Sequence, residues 1–393
     1  MTDGLGTRAV HGGERPDPET GSLTTPIYRT STFRFATTDD LLAGARGERP
    51  GFYTRYGHPN FEVVERKFAL LHGTDEAVLF GSGLGALAGI LQGLLHPGDR
   101  VTCMEDVYGG TRALLGEFRS HFGIETRWVP LGDDAALARA ASGSRLVLAE
   151  GPTNPTLKIA DIPHIAARAH EAGALLVFDN TFATPINQQP LSHGADLVWE
   201  SATKALGGHS DLMGGLVGGR ADLVAKVRNA RKLFGAVADP EAAWLLARGM
   251  KTLVARVERQ NRTALEVARG LERHPEVLRV VHPGLPSHPE HALATRLMTG
   301  GTGSMVTFAC RGGLAAARGV ADRVRAIANA PSLGGVESLL SLPIYTSHAA
   351  FTPEERRAAG ISDDLVRLSV GLEDAADLLA DLDGALRAPG KTS

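Results

Sequence analysis

The sequence predicts an α/β fold: a mostly parallel sheet of about seven strands with helices on both faces, followed by a smaller C-terminal α+β domain. Three features lead to this expectation. Short apolar runs recur from residue 61 onward, and segments of helical periodicity separate most of them. A long helical segment then precedes a region with further strand-like and helical segments.

The apolar runs that predict the strands follow one another along the middle of the chain: 77–80, 100–104, 126–130, 145–149, 175–178, 197–200 and 216–217. The helical segments between them are 85–95, 112–122, 134–141 and 162–172. In doubly wound sheets, ligands bind beyond the carboxyl ends of the strands. Polar residues that directly follow these runs are therefore the candidate functional residues.

Composition and periodicity divide the chain into three predicted regions: an N-terminal arm at 1–60, a main domain at 61–252 and a C-terminal domain at 253–393. The arm is rich in Gly, Pro, Thr and Arg and has little periodicity. We expect it to be extended and to reach a neighbouring subunit.

A helix start is predicted at Asp239-Pro240-Glu241, where a capping residue precedes a proline and an acid. Apolar residues then recur at helical spacing as far as Pro275. This pattern predicts one long helix, kinked at Gly249. Beyond it, the sequence predicts strands at 277–281 and 305–310 and helices at 314–328 and 375–386.

The charge balance excludes several classes of partner. The chain has 41 basic and 44 acidic residues, a net charge of −3, so no overall field favours nucleic acid or an anionic membrane. No stretch approaches the roughly 18 apolar residues of a membrane-spanning helix. Cys103 and Cys310 lack metal-ligand spacing and are expected to be buried, reduced thiols of a cytoplasmic enzyme that holds no metal. One basic cluster is expected to form a solvated helix face: Lys226, Arg228, Arg231 and Lys232.

The most informative stretch runs from Glu200 to Asp211 and reads ESATKALGGHSD. In it, Lys204 follows a strand end and the hydroxyls of Ser201 and Thr203, and it precedes a glycine-rich turn. A desolvated lysine acts as an amine nucleophile toward a carbonyl, and neighbouring hydroxyls bind phosphate. The alternative is a solvated loop lysine.

Two other strand ends carry candidate residues. Asp179 ends the run at 175–178, where a carboxylate is placed to pair with a pyridinium nitrogen. The turn from Gly81 to Ala86 suits phosphate binding at a helix start. The same turn fits the dinucleotide pattern G-x-G-x-x-A, with Glu105 and Asp106 at a distance suited to a ribose contact. Taken alone, it leaves open a nicotinamide-dependent oxidoreductase.

The combination of the three motifs distinguishes these alternatives. A nicotinamide enzyme gives no reason for the aspartate and the lysine. Pyridoxal phosphate requires a phosphate-binding turn, a partner for its ring nitrogen and a lysine that binds its aldehyde. The sequence therefore favours a pyridoxal-phosphate enzyme.

With these motifs, the chain closely resembles the Cys/Met-metabolism group of fold-type-I pyridoxal-phosphate enzymes, above all cystathionine γ-lyase and γ-synthase. The resemblance covers nearly the whole chain. Its motifs are Thr25–Tyr28, Tyr53–Asn60, Asp106–Thr111, Pro152–Thr156, the lysine motif, Ser332–Ser338 and Val366–Asp374.

The resemblance implies a role for each candidate residue. Lys204 would carry the cofactor, and Asp179 would pair with its ring nitrogen. The other cofactor-binding positions implied are Gly83, Leu84, Ser201 and Thr203 at the phosphate, Tyr53 and Arg55 from a neighbouring subunit, Tyr108 stacked on the ring and active in proton transfer, and Asn154 beside it. The implied substrate-binding residues are Arg367 for the α-carboxylate, Glu337, Ser338 and Asn154.

Departures from the family pattern bear on the substrate. The family usually has an arginine two places after the Tyr-Gly-Gly-Thr segment, but here Arg112 is followed by Ala113. Tyr56 stands where synthases that use a succinyl ester often have another arginine. We therefore expect γ-elimination from a sulfur-containing or homoserine-derived amino acid. The alternative is γ-replacement, as in cystathionine γ-synthase or O-acetylhomoserine sulfhydrylase. The resemblance also implies a homotetramer built from two dimers.

Overall fold

The computed structural model describes residues 4–48, 51–349 and 351–387. Its strands are β1 Glu76–Phe80, β2 Arg100–Met104, β3 Glu125–Val129, β4 Leu146–Glu150, β5 Leu175–Asp179, β6 Leu197–Ser201, β7 Gly215–Gly219, β8 Val277–Val281, β9 Met305–Cys310, β10 Ala328–Asn329, β11 Leu339–Ser341 and β12 Leu365–Ser369.

The helices are α1 Leu5–His11, α2 Thr38–Ala45, α3 Pro59–His72, α4 Gly83–Leu94, α5 Gly109–Phe122, α6 Asp134–Ala141, α7 Ile162–Glu171, α8 Thr184–Asn187, α9 Ala221–Phe234, α10 Pro240–Met250, α11 Leu253–Glu272, α12 His291–Leu297, α13 Gly313–Arg323, α14 Pro353–Ala358 and α15 Ala375–Arg387. Short 3₁₀ helices lie at Pro190–His193 and Pro343–Tyr345. Within the described ranges, no helix is both long and apolar enough to cross a membrane.

The described chain divides into two compact units. The first contains the residues up to His96 together with Asp196–Val254, and the second contains Pro97–Ala195 and the residues from Ala255 onward. The last boundary falls in the first turn of α11. The arm and domain limits predicted at residues 60 and 252 are not tested by this division and stay predictions.

In the first unit, the central strand β7 pairs with β1 on one side and β6 on the other, antiparallel to both. Phe80, the last residue of β1, and Ser201, the last residue of β6, both lie opposite Gly215. A Cβ built at Gly215 would lie only 2.2 Å from the carbonyl oxygen of Ser82. A glycine here therefore lets the turns that follow β1 and β6 leave the sheet side by side.

In the second unit, β5, β4, β2 and β3 follow one another as parallel strands. Buried apolar side chains such as Val147 and Val177 occupy the strand interiors, as a sheet covered on both faces requires. The register places Glu150 and Asp179, the last residues of β4 and β5, opposite each other. This unit also contains a second sheet in the order β10–β11–β12–β9–β8, which carries Arg367 on β12.

The predicted fold class is confirmed. Each of the apolar runs forms a strand, with bounds that differ little from those predicted, and helices separate most of the strands. The two sheets and the helices between the strands give the mixed α/β architecture that was expected. Both cysteines are free and buried, and burial raises the pKa of the Cys310 thiol to about 12.

The prediction of one long helix was wrong, because the segment forms α10 and α11 with a turn at residues 251–252. The amide of Thr252 donates to the carbonyl of Gly249, 3.3 Å away, which tightens the end of α10. A Cβ at Gly249 would lie 2.3 Å from the carbonyl oxygen of Gly207. The break therefore lies next to a close backbone contact that periodicity does not reveal.

The helix predicted at 314–328 is also shorter than expected, since α13 ends at Arg323 and Ala328 begins β10. The Asp381 carboxylate accepts hydrogen bonds from the amides of Arg325, Ala326 and Ile327. These bonds hold the segment outside a helix, and they come from α15, more than 50 residues along the chain.

Two further expectations need correction. The arm is not extended throughout, because it contains α1 and α2. The basic cluster on α9 is not wholly solvated, because Arg231 is buried and pairs with Glu65 at 2.7 Å. Arg228 also pairs with Glu65, at 2.7 Å. A single buried carboxylate thus turns two of the four basic side chains inward.

Candidate active site

The first unit contains the predicted phosphate-binding turn. After β1, the hydroxyl of Ser82 accepts a hydrogen bond from the amide of Gly85 at 3.0 Å and caps α4, which begins at Gly83. A Cβ built at Gly83 would lie 2.9 Å from the Cβ of Ser201. The structure thus brings Gly83 and Ser201 together, as predicted, at a helix start whose free amides attract an anion.

The lysine turn follows β6 in the same unit. The amide of Lys204 donates to the carbonyl of Ser201 at 3.1 Å, and the carbonyl of Lys204 accepts from the amide of Gly208 at 2.8 Å. The hydroxyl of Thr203 accepts from the amide of Gly214 at 3.1 Å. These bonds fix a tight turn that holds the half-buried Lys204 close to the phosphate-binding turn.

The arm residues also lie in the first unit. Arg55 donates to the carbonyl of Lys232 at 2.9 Å, and its guanidinium lies 5.3 Å from the ring centre of Tyr56. Tyr53 pairs with Thr32 through an isolated antiparallel bridge. The expected contribution of Tyr53 and Arg55 to a neighbouring subunit's phosphate site is not tested by one chain and stays a prediction.

In the second unit, Asp179 lies buried at the end of β5. Its Oδ1 accepts from both the amide and the hydroxyl of Thr181, at 2.9 and 2.6 Å. These bonds fix the orientation of the carboxylate. Thr181 follows Asp179 in the sequence, but we predicted no role for it.

Glu150 is a residue that the sequence analysis missed. It lies beside Asp179 at the end of β4, and its carboxylate accepts from the amide of Tyr108 at 2.7 Å and from the amide of Asn154 at 3.3 Å. Burial and the Asp179 carboxylate hold the pKa of Glu150 well above its usual range, although the two amides act in the opposite direction. Glu150 directly follows the predicted run 145–149, as Asp179 follows 175–178, so its position was the available signal. We assigned it no role because it lies just before the Pro152–Thr156 motif and not within it.

Arg367 is 5% exposed on β12. Its Nη1 donates to Oδ1 of Asn154 and its Nη2 to the carbonyl of Ser332, both at 3.1 Å. Burial lowers the pKa of this guanidinium to about 10. Among the described residues, no carboxylate lies within ion-pair distance of Arg367. The structure brings Arg367 and Asn154 together and, within the described residues, leaves a buried cation whose hydrogen bonds go to neutral groups.

The turn that contains Glu337 and Ser338 is fixed by Glu373. The amide and the hydroxyl of Ser338 both donate to the Glu373 carboxylate at 2.7 Å, and the Ser338 hydroxyl accepts from the amide of Gly371 at 2.9 Å. A Cβ at Gly335 would lie 2.6 Å from Oε1 of Glu337, so the Glu337 carboxylate folds over that glycine. Glu373 lies in a family motif, but we predicted no role for it.

Arg112, the displaced arginine, stacks on aromatic side chains. Its guanidinium carbon lies 4.0 Å from the ring centre of Trp128 and 5.4 Å from that of Phe351. Cation–π contacts of this kind hold a guanidinium in place. Nearby, burial and the charges of Arg367 and Arg112 lower the pKa of His348 to about 4, so its imidazole is neutral at neutral pH.

The fold and these residues define a class of enzyme. The first unit supplies a phosphate-binding turn with hydroxyls and a lysine, and the second supplies a strand-end aspartate and a buried arginine. These are the parts that a fold-type-I pyridoxal-phosphate enzyme requires. The residues fit that cofactor, because the hydroxyl of Ser201 lies at the start of α4, 3.2 Å from the position of a Cβ at Gly83, where it and the helix amides suit one phosphate.

Comparison with known proteins identifies the family. Residues 6–387 match the model of the Cys/Met metabolism PLP-dependent enzymes, and the chain belongs to that family. It is therefore a pyridoxal-phosphate-dependent enzyme of the lyase and synthase group, as predicted.

The relatives cover more than one reaction. The chain is 42% identical to L-methionine γ-lyase from Pseudomonas putida, over 98% of both chains. It is 44% identical to cystathionine γ-synthase from Mycobacterium leprae, over 98% of this chain and 97% of the relative. The solved cystathionine γ-lyase from Micromonospora echinospora matches 98% of this chain and all of its own, with a TM-score of 0.92 and 39% identity.

Proposed function

We propose that this enzyme catalyses γ-elimination from a sulfur-containing or homoserine-derived amino acid, as a C–S lyase similar to cystathionine γ-lyase. The main support for the proposal is that the Arg367 guanidinium is buried and donates to neutral oxygens of Asn154 and Ser332. A buried guanidinium with only neutral contacts is costly until a carboxylate binds it. The α-carboxylate of an amino acid suits the fork of its N–H groups.

We propose the cofactor contacts that the sequence motifs imply. Lys204 would bind its aldehyde, Asp179 would lie at its ring nitrogen, and Tyr108 would stack on the ring. The residues proposed for the phosphate are Gly83, Leu84, Ser201 and Thr203, with Tyr53 and Arg55 from a second copy of the chain. When bound, pyridoxal phosphate delocalises the electron pair that remains when the α-carbon loses its proton.

The chain's own groups would then move the protons and position the substrate. Nζ of Lys204 would take the α-proton, and Tyr108 would take part in later proton transfer. Arg367 and Asn154 would orient the substrate through its α-carboxylate. Asp179, fixed by Thr181, would keep a negative charge beside the ring nitrogen, and Ser338 would lie near the lysine.

One observation favours elimination over replacement of a succinyl ester. Arg112 is held against Trp128 and Phe351, and its guanidinium carbon lies 4.0 Å from the Trp128 ring centre. In this position the guanidinium stacks on aromatic faces, and its Nη2 donates to the carbonyl of Glu105 at 3.5 Å. Ala113 and Tyr56 stand where synthases that use a succinyl ester often have arginines, so neither of these two positions supplies a guanidinium for the succinyl carboxylate. The second candidate is γ-replacement with a thiol, which the 44% identity to a γ-synthase supports.

We also propose that the active form is a homotetramer made of two dimers, in the cytoplasm. Large apolar side chains of the first unit are exposed, among them Leu23, Met213, Leu233 and Phe234. Such side chains are costly in water and are typical of surfaces that a partner covers. A second copy of the chain would cover them and bring its Tyr53 and Arg55 to the phosphate.

Product analysis tests the reaction. The purified enzyme is given cystathionine, L-methionine, O-acetylhomoserine or O-succinylhomoserine, each with and without cysteine. Elimination predicts a 2-oxo acid and ammonia without added thiol, whereas replacement predicts a new thioether only when cysteine is present. Lys204→Ala is the matched control, and we expect it to lose at least 10²- to 10⁴-fold in turnover. A succinyl ester as the best substrate, with no 2-oxo acid from any other, would replace this proposal with the synthase alternative.

A further inference from the structure

The carboxylate of Glu150 connects two loops of the second unit. Oε2 accepts from the amide of Tyr108, the residue that precedes α5, and Oε1 accepts from the amide of Asn154, in the loop after β4. The two amides are 46 residues apart in the chain. One side chain thus sets the distance between the backbone of Tyr108 and that of Asn154.

The connection extends to the buried arginine. Asn154 offers its amide to Glu150 and its side-chain oxygen to Arg367, 3.1 Å away. Since the backbone and the side chain of Asn154 are both held, its rotation is restricted. Glu150, Asn154 and Arg367 therefore form a continuous chain of hydrogen bonds that starts at Tyr108.

Glu150 is a costly way to hold two loops together. Its side chain is 6% exposed, and the Asp179 carboxylate lies on the neighbouring strand at the same register. Burial and this like charge raise the pKa of Glu150, so the charged form is disfavoured where it lies. A glutamine of the same shape would avoid the repulsion. Glutamine, however, has only one acceptor oxygen in its side chain, whereas glutamate has two. The unfavourable burial of Glu150 is therefore explained if both of its oxygens must accept a backbone hydrogen bond.

We propose that Glu150 is a positioning residue, which aligns Tyr108 against the cofactor ring and Asn154 against Arg367 by accepting one backbone hydrogen bond from each. The inference rests on the proposed function, since it assigns Tyr108 and Asn154 to that site. Glu150 touches neither the substrate nor the cofactor in this role and acts through its two neighbours.

The test uses the full-length enzyme and the variant Glu150→Gln, with Glu117→Gln as the matched control. Glu117 lies on α5, and its exposed side chain pairs with His121. Three quantities are measured: the dissociation constant of pyridoxal phosphate from fluorescence titration of the apoenzyme, KM and kcat for the best substrate, and the thermal midpoint of the apoenzyme.

In Glu150→Gln, one of the two amides is left without an acceptor, which costs about 10- to 100-fold. We expect that loss in kcat/KM and a weaker affinity for pyridoxal phosphate, while the apoenzyme unfolds at the wild-type temperature or above. Glu117→Gln should match the wild type in all three quantities. A purely structural role predicts a lower thermal midpoint with unchanged KM and cofactor affinity, and that result would overturn the proposal.

A double-mutant cycle tests the route of the effect. If Glu150 acts through Asn154, the rise in KM caused by Glu150→Gln should be smaller in an Asn154→Ala background, whereas independent sites give additive changes. If Glu150→Gln does not fold, Glu150→Asp is the second variant. It keeps the carboxylate but is one methylene shorter, so its oxygens lie farther from the two amides, and we expect weaker affinity for pyridoxal phosphate here too. A wild type that does not bind pyridoxal phosphate would refute the proposed function instead, so the two failures are distinguishable.

Discussion

Replacing Arg367 by lysine separates the charge of this group from its geometry. The guanidinium is buried on β12, and its Nη1 and Nη2 each contact a neutral oxygen at 3.1 Å. Lysine keeps the positive charge but presents a single nitrogen. We therefore expect Arg367→Lys to bind the α-carboxylate through fewer hydrogen bonds and to lose the contacts that orient the side chain.

The expected magnitude follows from these contacts. A hydrogen bond to a charged group contributes about 1.5–3 kcal/mol, so the loss of one from a bidentate pair lowers kcat/KM about 10- to 100-fold. Burial lowers the pKa of Arg367 from 12.5 to about 10, which corresponds to roughly 3 kcal/mol against the charged form. A bound carboxylate offsets this cost. Most of the effect should therefore appear in KM, where binding of the α-carboxylate is measured.

The same burial predicts a pH dependence. Lysine has a lower ordinary pKa than arginine, and burial lowers the pKa of either base. A base with a lowered pKa is charged below that pKa and neutral above it. As pH rises toward 10, kcat/KM of Arg367→Lys should therefore fall before that of the wild type, whose guanidinium stays charged up to a pKa of about 10.

The assay is steady-state kinetics across the alkaline range with the best substrate. Arg279→Lys is the matched control, because Arg279 lies exposed on β8 of the same sheet. The control should retain the wild-type KM at every pH. An unchanged KM in Arg367→Lys would show that Arg367 does not bind the α-carboxylate and would remove the main support for the proposed function.

Three other substitutions test other parts of the site. Gly83→Ala places a Cβ 2.9 Å from the Cβ of Ser201. We expect at least about fivefold weaker binding of pyridoxal phosphate in fluorescence titration. Wild-type affinity in this variant would exclude the turn as the phosphate site. Arg55→Ala should also weaken cofactor retention, and mixing it with Lys204→Ala should restore part of the activity through hybrid sites. Full activity in a demonstrably monomeric sample would rule out that shared site. We expect a preference for cystathionine over O-succinylhomoserine, because the distal end of cystathionine has an ammonium that the Glu337 carboxylate attracts and the succinyl ester has only a carboxylate. Glu337→Ala should narrow this preference about two- to fivefold. An unchanged ratio of kcat/KM values would show that Glu337 does not face the distal group.

Local sequence determined the main sheet and its motifs. The strand β2 and the helix α6 have the bounds that periodicity predicted, because each is a short segment whose apolar spacing and flanking turn residues agree. The turn at Gly83 and the turn at Lys204 were also readable from sequence. Glycines and hydroxyl residues next to a strand end indicate a phosphate-binding turn by their residue types alone, without knowledge of distant contacts.

Tertiary structure alone decided the features that depend on distant residues. The break between α10 and α11 lies beside the contact of Gly249 with Gly207, and the early end of α13 depends on Asp381. Arg231 is buried because Glu65, in α3, reaches it. In each case the partner lies far along the chain, where neither periodicity nor a motif records it.

The same limit applies to the candidate site. The motifs named Asn154 and Arg367 separately, and only the fold shows that their side chains meet at 3.1 Å. The position of Glu150 after a predicted strand made it a candidate by the same rule that selected Asp179, but nothing in the sequence shows what its carboxylate binds. Its importance comes from two amides that folding brings to its oxygens. Residue types therefore determined which chemistry this chain carries, whereas long-range hydrogen bonds decided how the groups that perform it are held.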